Sequence, residues 1–275
     1  MSEIPTARLP ALPWEDQSSY SPWTAYRATM RLLIARPGEF YDRMAVCGGL
    51  HEPMTFFLGL LATTVLAAFL AALTYTGAAA PSAGALSARE YFLLTLAPKA
   101  TGLALGLLPE VLLIAAGLLV LGGSLFHLGT RLFGARRREG SVSVLFYAAS
   151  AALIPVLAAL LVIFVVSAAG WLLQAFRAAP MPSVRTAAMW TWRIAFGLAA
   201  FAGLALFVAH CVIGCARVAH LDAVTATAAV ACGLALAAAV PVGAAIAFYS
   251  GGTATALLVL LLGGALALAV TLWQG

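Results

Sequence analysis

Residues 141–176 read SVSVLFYAASAALIPVLAALLVIFVVSAAGWLLQAF, a run without one charged side chain. About 20 apolar residues carry a helix across the hydrocarbon core of a bilayer, so this run is more than long enough. Outward from it, residues 223–275 carry no charge either. Over all 275 residues, 63% are hydrophobic and 9% charged, against roughly half apolar and a quarter charged in soluble domains. No strand-length segment alternates with a period of two, which disfavours an outer-membrane barrel. These observations predict an all-α fold, a polytopic transmembrane helical bundle whose first partner is the lipid bilayer itself.

The remaining apolar runs place about six spans, at residues 54–75, 103–127, 142–168, 194–215, 223–249 and 253–273, with a kink at Pro155 in the third. The second is the difficult one. Residues 91–128 are too long for one helix, and a span at 91–108 would place Lys99 near the bilayer centre at a cost of about 2.5–3.5 kcal/mol. Residues 89–98 are therefore expected to be interfacial, with the crossing at 103–127. With the N-terminus inside, Arg8, Arg27, Arg31, Arg36, Arg43, Arg131, Arg136, Arg137, Arg138 and Arg217 are cytoplasmic. Opposite them stand Arg89, Lys99, Arg177, Arg185 and Arg193, so the bias is ten basic residues against five, in the direction of the positive-inside rule. Met1-Ser2-Glu3-Ile4-Pro5 has no basic region leading into an apolar one, so insertion is expected to rely on the first internal span.

Residues 1–20, with Pro5, Pro10 and Pro13, read as a flexible tail. Residues 21–50 read as amphipathic helices. Ser21-Pro22 supplies a cap and a first-turn proline, and Trp23, Tyr26, Met30, Leu33 and Ile34 then recur at helical spacing, flanked by Arg27 and Arg31. Arg36-Pro37-Gly38 ends that helix, and a second piece carries Phe40, Tyr41 and Met44 on one side before Gly48-Gly49. Basic, aromatic-bearing helices of this kind lie in the headgroup plane with the apolar face down. Packing on the protein's own cytoplasmic face fits the same pattern.

Several motifs between Pro37 and Tyr249 carry a family resemblance. Arg36-Pro37-Gly38-Glu39-Phe40-Tyr41 precedes the first span, Phe126-His127-Leu128-Gly129 to Gly134 closes the second, and Phe146-Tyr147-Ala148 with Ile154-Pro155 marks the third. Gly214-Cys215-Ala216-Arg217-Val218-Ala219-His220 ends the fourth, and Trp14-Glu15 follows Leu12-Pro13 near the start. Together they resemble bacterial members of the Yip family, the Ypt/Rab-GTPase-interacting membrane proteins. The resemblance implies five spans over residues 51–249 with a cytoplasmic N-terminus, a bacterial inner-membrane location, no catalytic residues and a role in membrane organisation or trafficking. The span at 253–273 would be an addition. The Asp-Leu-Tyr-Gly-Pro motif of eukaryotic members is missing, so a Rab-type partner is not implied.

Few residues could carry chemistry. Glu110 is the one acid well inside an apolar run, and intramembrane acids are functional candidates. It follows Pro109, where it could instead reach the interface or favour a helix N-terminal dipole. His127, His210 and His220, with Cys211, Cys215 and Asp222, suggest a metal or haem site, of which His127 and His210 are the candidates carried forward, weakly, since the spacing fits no standard zinc pattern. Cys47, Cys211, Cys215 and Cys232 do not form a disulfide scaffold. There is no Gly-x-Ser-x-Gly elbow, His-Glu-x-x-His or phosphate loop, and a net charge of +5 is modest for nucleic acid. No cofactor is expected. Gly102 and Gly106 fit a small-residue packing face. The basic turn of Arg131, Arg136, Arg137 and Arg138 would attract anionic lipid at about 1 kcal/mol per residue or serve only to fix topology. Three functions follow in order: a non-enzymatic membrane-organising or accessory factor with an unnamed membrane-protein partner or self-association, a small transporter or channel using Glu110 and the Pro155 kink, and a metal- or haem-binding protein using His127 and His210.

Overall fold

The computed structural model describes residues 10–16, 19–44, 49–79, 97–135, 137–175 and 181–239, with 242–243, 246–247 and 252 beyond them. All regular structure among these residues is helical, and four helices are long and apolar enough to cross a membrane. That is the architecture of a helical membrane bundle. The elements are α1 (Pro22–Ala35), α2 (Pro37–Arg43), α3 (His51–Ala79), α4 (Ala97–Arg131), α5 (Arg138–Ala175) and α6 (Met181–Val218), then the shorter apolar α7 (Ala223–Ala239). Most of the expected span at 253–273 and the far end of that at 223–249 lie outside the described residues.

Local chemistry sets the first boundaries. Ser21 Oγ accepts the backbone N–H of Thr24 at 3.4 Å, and Pro22 opens α1. Arg36 precedes a proline, which bars it from helical geometry; its φ of −143° and ψ of 64° break the chain direction. Pro37 then opens α2, with Glu39 in the first turn and Arg43 in the last, each favourable to the helix dipole. Phe40, Tyr41 and Met44 are all buried, on the side that the sequence spacing predicts.

The long helices exceed one bilayer thickness. At 1.5 Å per residue, the 29 residues of α3 run about 43 Å. Thr64 Oγ1 donates to Leu60 O at 2.8 Å and Ser150 Oγ to Phe146 O at 2.9 Å within their own helices, which satisfies a hydroxyl where no water is available. Ser167 Oγ in α5, by contrast, is buried without a hydrogen bond. Pro155 sits inside α5 and Pro109 inside α4. Two boundaries differ from expectation. α4 starts at Ala97 rather than 103, because Pro98 occupies a first-turn position, where its missing N–H costs nothing. Lys99 falls in the first turn of this 35-residue helix, ahead of its membrane-length apolar stretch Leu108–Arg131; residues 89–96 lie outside the described set. α6 starts at Met181 rather than 194, again with a proline in its first turn. Arg193 lies 5.6 Å from the Trp190 ring centroid one turn back, a cation–π contact that lets a charge sit mid-helix.

The chain divides into two compact units. Unit 1 comprises residues to Phe57, Ala116–Ala151 and Val208 onward; unit 2 comprises Leu58–Ala115 and Ala152–Phe207. Unit 1 thus holds the start of α3, the end of α4, the start of α5, the end of α6 and α7, as consecutive helices of alternating direction require. The described members of the ten-residue basic set all fall in unit 1, while Lys99, Arg185 and Arg193 fall in unit 2. Unit 2 has a core of Ala71, Leu160 and Ile163, with Val156, Phe164 and Trp192 packed on it. A side chain at Gly203 would meet Ala152 O at 2.9 Å, so α6 lies directly on the α5 backbone beside Pro155. Outward, Leu113, Leu198 and Phe201 are 67–76% exposed, an apolar exterior suited to lipid rather than water.

The N-terminal tail departs from expectation within unit 1. Leu12 and Pro13 are buried, Trp14 N donates to Thr29 Oγ1 at 3.0 Å, and Trp14 Nε1 donates to Glu52 O at 3.0 Å. Tyr147 O–H donates to Glu15 Oε1 at 3.2 Å. The described part of the tail is docked, because Leu12 and Trp14 supply apolar area that a Pro/Ser composition alone does not reveal.

Candidate functional site

The functional candidates gather in unit 1. Its centre is a series of rings: Trp14 against Tyr26 and Phe56, Phe56 against Tyr147, Tyr147 against Phe40, and Tyr41 against His210, with centroids 4.8–5.9 Å apart. This cluster fastens the tail, α1 and α2 to the ends of α3, α5 and α6. Asp42 accepts from Arg217 Nη1 at 3.3 Å, joining α2 to the last turn of α6. Glu39 bonds both Arg36 and Arg43. The Arg36 hydrogen bond, and then the Arg43 charge, hold its carboxyl below the usual range. Burial pushes the Tyr41 phenol well up, so it stays protonated and shares a 3.3 Å hydrogen bond with His210 Nδ1.

α1 meets this cluster through Ala25, Thr29 and Leu33, which are buried. The expected stripe is therefore split. Leu33 faces inward and Tyr26 and Met30 are half-buried, while Trp23 and Ile34 are 67% and 57% exposed. Arg27 and Arg31 are exposed, and at 100° per residue they fall beside the Trp23–Met30–Ile34 line. Small Ala25 and Thr29 allow the close approach, leaving the larger apolar residues outside.

The basic turn is less uniform than its sequence. Arg131 and Arg137 are exposed, whereas Arg138 is half-buried, its Nη2 donating to Ser124 Oγ at 2.9 Å and its Nε buried without a hydrogen bond. Arg136 lies outside the described residues. Beneath the turn, buried His127 Nδ1 is 3.0 Å from Ser141 Oγ, Thr130 Oγ1 donates to His127 O at 3.0 Å, and the two hydroxyls are 3.3 Å apart. A cavity of about 570 Å³ opens here, lined by Thr130, Gly134, Arg137, Ser141, Val144, Cys215, Val218 and His220 among others.

Two helix ends frame the cavity. α4 ends in a turn where Gly134 N donates to Arg131 O at 3.0 Å, with Gly134 at φ 103°, in the left-handed region that glycine tolerates best. α6 ends with Leu221 N donating to Ala216 O at 3.0 Å, the six-to-one bond of a Schellman cap. The left-handed position of that cap, usually glycine, holds His220 at φ 54°, at a cost of about 1 kcal/mol. Asp222 then caps α7, accepting from Val224 N and Thr225 N at 3.0 Å and from Thr225 Oγ1 at 2.6 Å. The Thr225 hydroxyl, followed by the backbone N–H groups, keeps its carboxyl below the ordinary range.

The other candidates stand apart. His127 and His210 are each engaged by a different hydroxyl, and among the described residues no three His, Cys, Asp or Glu converge as a metal group. Cys211 and Cys215 are buried thiols; Cys47 lies outside the described residues. Glu110 is exposed on α4.

No family model, curated protein or solved structure matches this chain.

The reading of function thus stands on the residues themselves. Sequence reasoning missed Thr130 and Ser141, and read Trp14-Glu15 only as a motif without the contacts to α1, α3 and α5 that the fold gives them.

Proposed function

We propose that this chain is a non-enzymatic, Yip-like multispanning protein of a bacterial inner membrane, with its N-terminus and basic turn on the cytoplasmic side. It acts as a membrane-organising or accessory factor. One observation carries the reading: α1 is docked by one face on unit 1 while Trp23 and Ile34 stay exposed beside Arg27 and Arg31. An apolar line next to two guanidinium groups matches an anionic membrane surface, with the aromatic ring at headgroup level and the arginines on phosphates. The buried small-residue face holds the helix on the protein, so binding lipid does not require undocking.

Reconstitution in phosphatidylcholine vesicles with and without phosphatidylglycerol tests this. The triple variant Trp23→Ser, Arg27→Gln, Arg31→Gln should lose salt-sensitive enrichment of phosphatidylglycerol around the protein, by roughly 2 kcal/mol for the two charges, while its melting temperature holds. Unchanged enrichment would remove the surface role. Ion or solute flux abolished by Glu110→Gln would favour a transporter instead.

A further inference from the structure

The segment from Leu12 to Asp16 has the form of a bound peptide. It makes a single turn, with Glu15 N and Asp16 N donating to Leu12 O at 2.9 and 3.0 Å, and it lies in a groove between α1, α3 and α5. The groove meets it residue by residue. Leu12 is fully enclosed and Pro13 is buried, and the Trp14 indole stands edge-on to Tyr26 and Phe56. Three polar groups of the groove face three of the segment. Thr29 Oγ1 and Glu52 O accept from the backbone and indole N–H groups of Trp14, and the Tyr147 O–H donates to Glu15. Thr29 and Tyr147 are themselves fully buried, so an empty groove would strip both of the partners they have here, which is costly away from water. We propose that this groove is a peptide-recognition site, filled here by the chain's own segment, and that a second copy of the chain supplies the same segment in trans. Lipid binding by the outer face of α1 plays no part in it.

The choice of a second copy follows from the segment and its attachment. A foreign peptide would have to present apolar, aromatic and acidic groups at successive positions, whereas a second copy carries Leu12-Pro13-Trp14-Glu15 by construction. Exchange of an identical element keeps every docking contact, which makes it a low-cost route to a dimer. Ser19 and Tyr20, between the segment and α1, are exposed, so redirecting the chain there gives up little burial. The five steps from Asp16 to Ser21 reach at most about 17 Å, so the α1 starts of two copies must face each other. Ser21, Pro22 and Trp23 are exposed at that end. Concentration decides the balance. A short link holds the segment over its own groove at an effective concentration on the order of millimolar, so isolated chains close on themselves and exchange rises with the density of copies in one membrane.

The test uses full-length chains with two different tags, co-reconstituted in phosphatidylcholine vesicles and co-captured after mild solubilisation. Trp14→Ala keeps the groove and weakens its own segment. Thr29→Val with Tyr147→Phe keeps the segment and, at nearly unchanged shape, strips the groove of two polar partners. Mixed, the two should capture each other roughly tenfold more than either captures itself, the effect of about one net hydrogen bond. Leu12→Asp, which expels the segment by placing a charge in an apolar pocket, is a second groove-bearing chain and should pair in the same way. A synthetic peptide of residues 10–16 should raise the melting temperature of both groove-bearing variants and break the mixed pair, and the same peptide with alanine for tryptophan should do neither. A peptide that at millimolar concentration neither stabilises these variants nor breaks the pair overturns the groove as a recognition site. Stabilisation by the peptide while the mixed chains stay apart overturns the second copy as its occupant. Undiminished capture when the segment-bearing chain also carries Trp14→Ala overturns the exchange and assigns the pairing to another surface.

Discussion

Replacing Gly233 with leucine is expected to leave no folded protein to purify, and Gly129→Val to do the same. A Cβ at Gly129 would lie 2.5 Å from Gly233 Cα and 2.6 Å from its nitrogen; one at Gly233 would lie 2.7 Å from Phe126 Cδ2 and 2.8 Å from Phe126 O. Carbon atoms rest at about 3.5–4.0 Å, so even one methyl must push α7 from α4 by roughly 1 Å. Phe126 is fully buried and cannot yield. In a bilayer, where lipid tails are as apolar as the side chains, helices associate through such close contact rather than through hydrophobic exclusion. Gly233→Ala should cost about 3 kcal/mol, the upper end of overpacking penalties. Gly122→Ala is the control, since a Cβ there meets nothing within 4 Å. It should raise the melting temperature by about 2–4 °C, the value of replacing one helical glycine. Fluorescence-detected size exclusion in detergent, with thermal melts of the survivors, reads both. Equal behaviour of the Gly122 and Gly233 alanine variants would refute the close α4–α7 crossing.

These contacts show where the sequence was legible and where it was not. Ser21-Pro22 and Arg36-Pro37 announced their helix boundaries because capping and proline restriction act over two or three residues. The charge-free run at 141–176 announced α5 because transfer to lipid depends on composition alone. Packing is different. Gly102 and Gly106 had the right spacing for a contact face, yet a Cβ at Gly106 meets nothing within 4 Å, whereas Gly129 and Gly233 are over a hundred residues apart and nearly touch. In a chain with 25 glycines, local spacing cannot choose among them. The α1 face failed for a related reason: the periodicity of large apolar residues pointed at Trp23 and Ile34, while Ala25 and Thr29 make the buried surface.

The same distinction applies to the cavity and the basic turn. Four arginines close in sequence suggested one patch, but Arg138 turns toward Ser124, and Arg137 instead shares a cavity with His220 from the far side of α6. Charge density is a local property; the direction of each guanidinium follows from what the neighbouring helix offers. His220 was legible as the last residue of the Gly214–His220 motif, but its left-handed backbone emerges only from the Schellman turn between α6 and α7.

Trp14→Ala should lower stability by about 3 kcal/mol, the low end for removing a large aromatic side chain, because the residue is only half-buried. Its indole lies 5.9 Å from the Tyr26 ring and 5.8 Å from the Phe56 ring, and its N–H reaches Glu52 O at 3.0 Å. Removing it takes the ring contacts with α1 and the start of α3 away together, while the Trp14 backbone N–H bond to Thr29 Oγ1, the Leu12 contacts and the Tyr147–Glu15 hydrogen bond remain. Trp14→Phe keeps one aromatic ring and loses the N–H bond with the rest of the indole, so its cost should be smaller, about 1–2 kcal/mol. The ratio of the two measures packing against polar pairing. Opening of the tail need not unfold the helices, since docked segments open locally. Limited proteolysis near Asp16 should therefore accelerate in the alanine variant below its melting temperature, and hardly at all in the phenylalanine one. A wild-type chain cut near Asp16 as fast as the alanine variant would mean that the tail is free, and the ring cluster would then end at Tyr26 and Phe56.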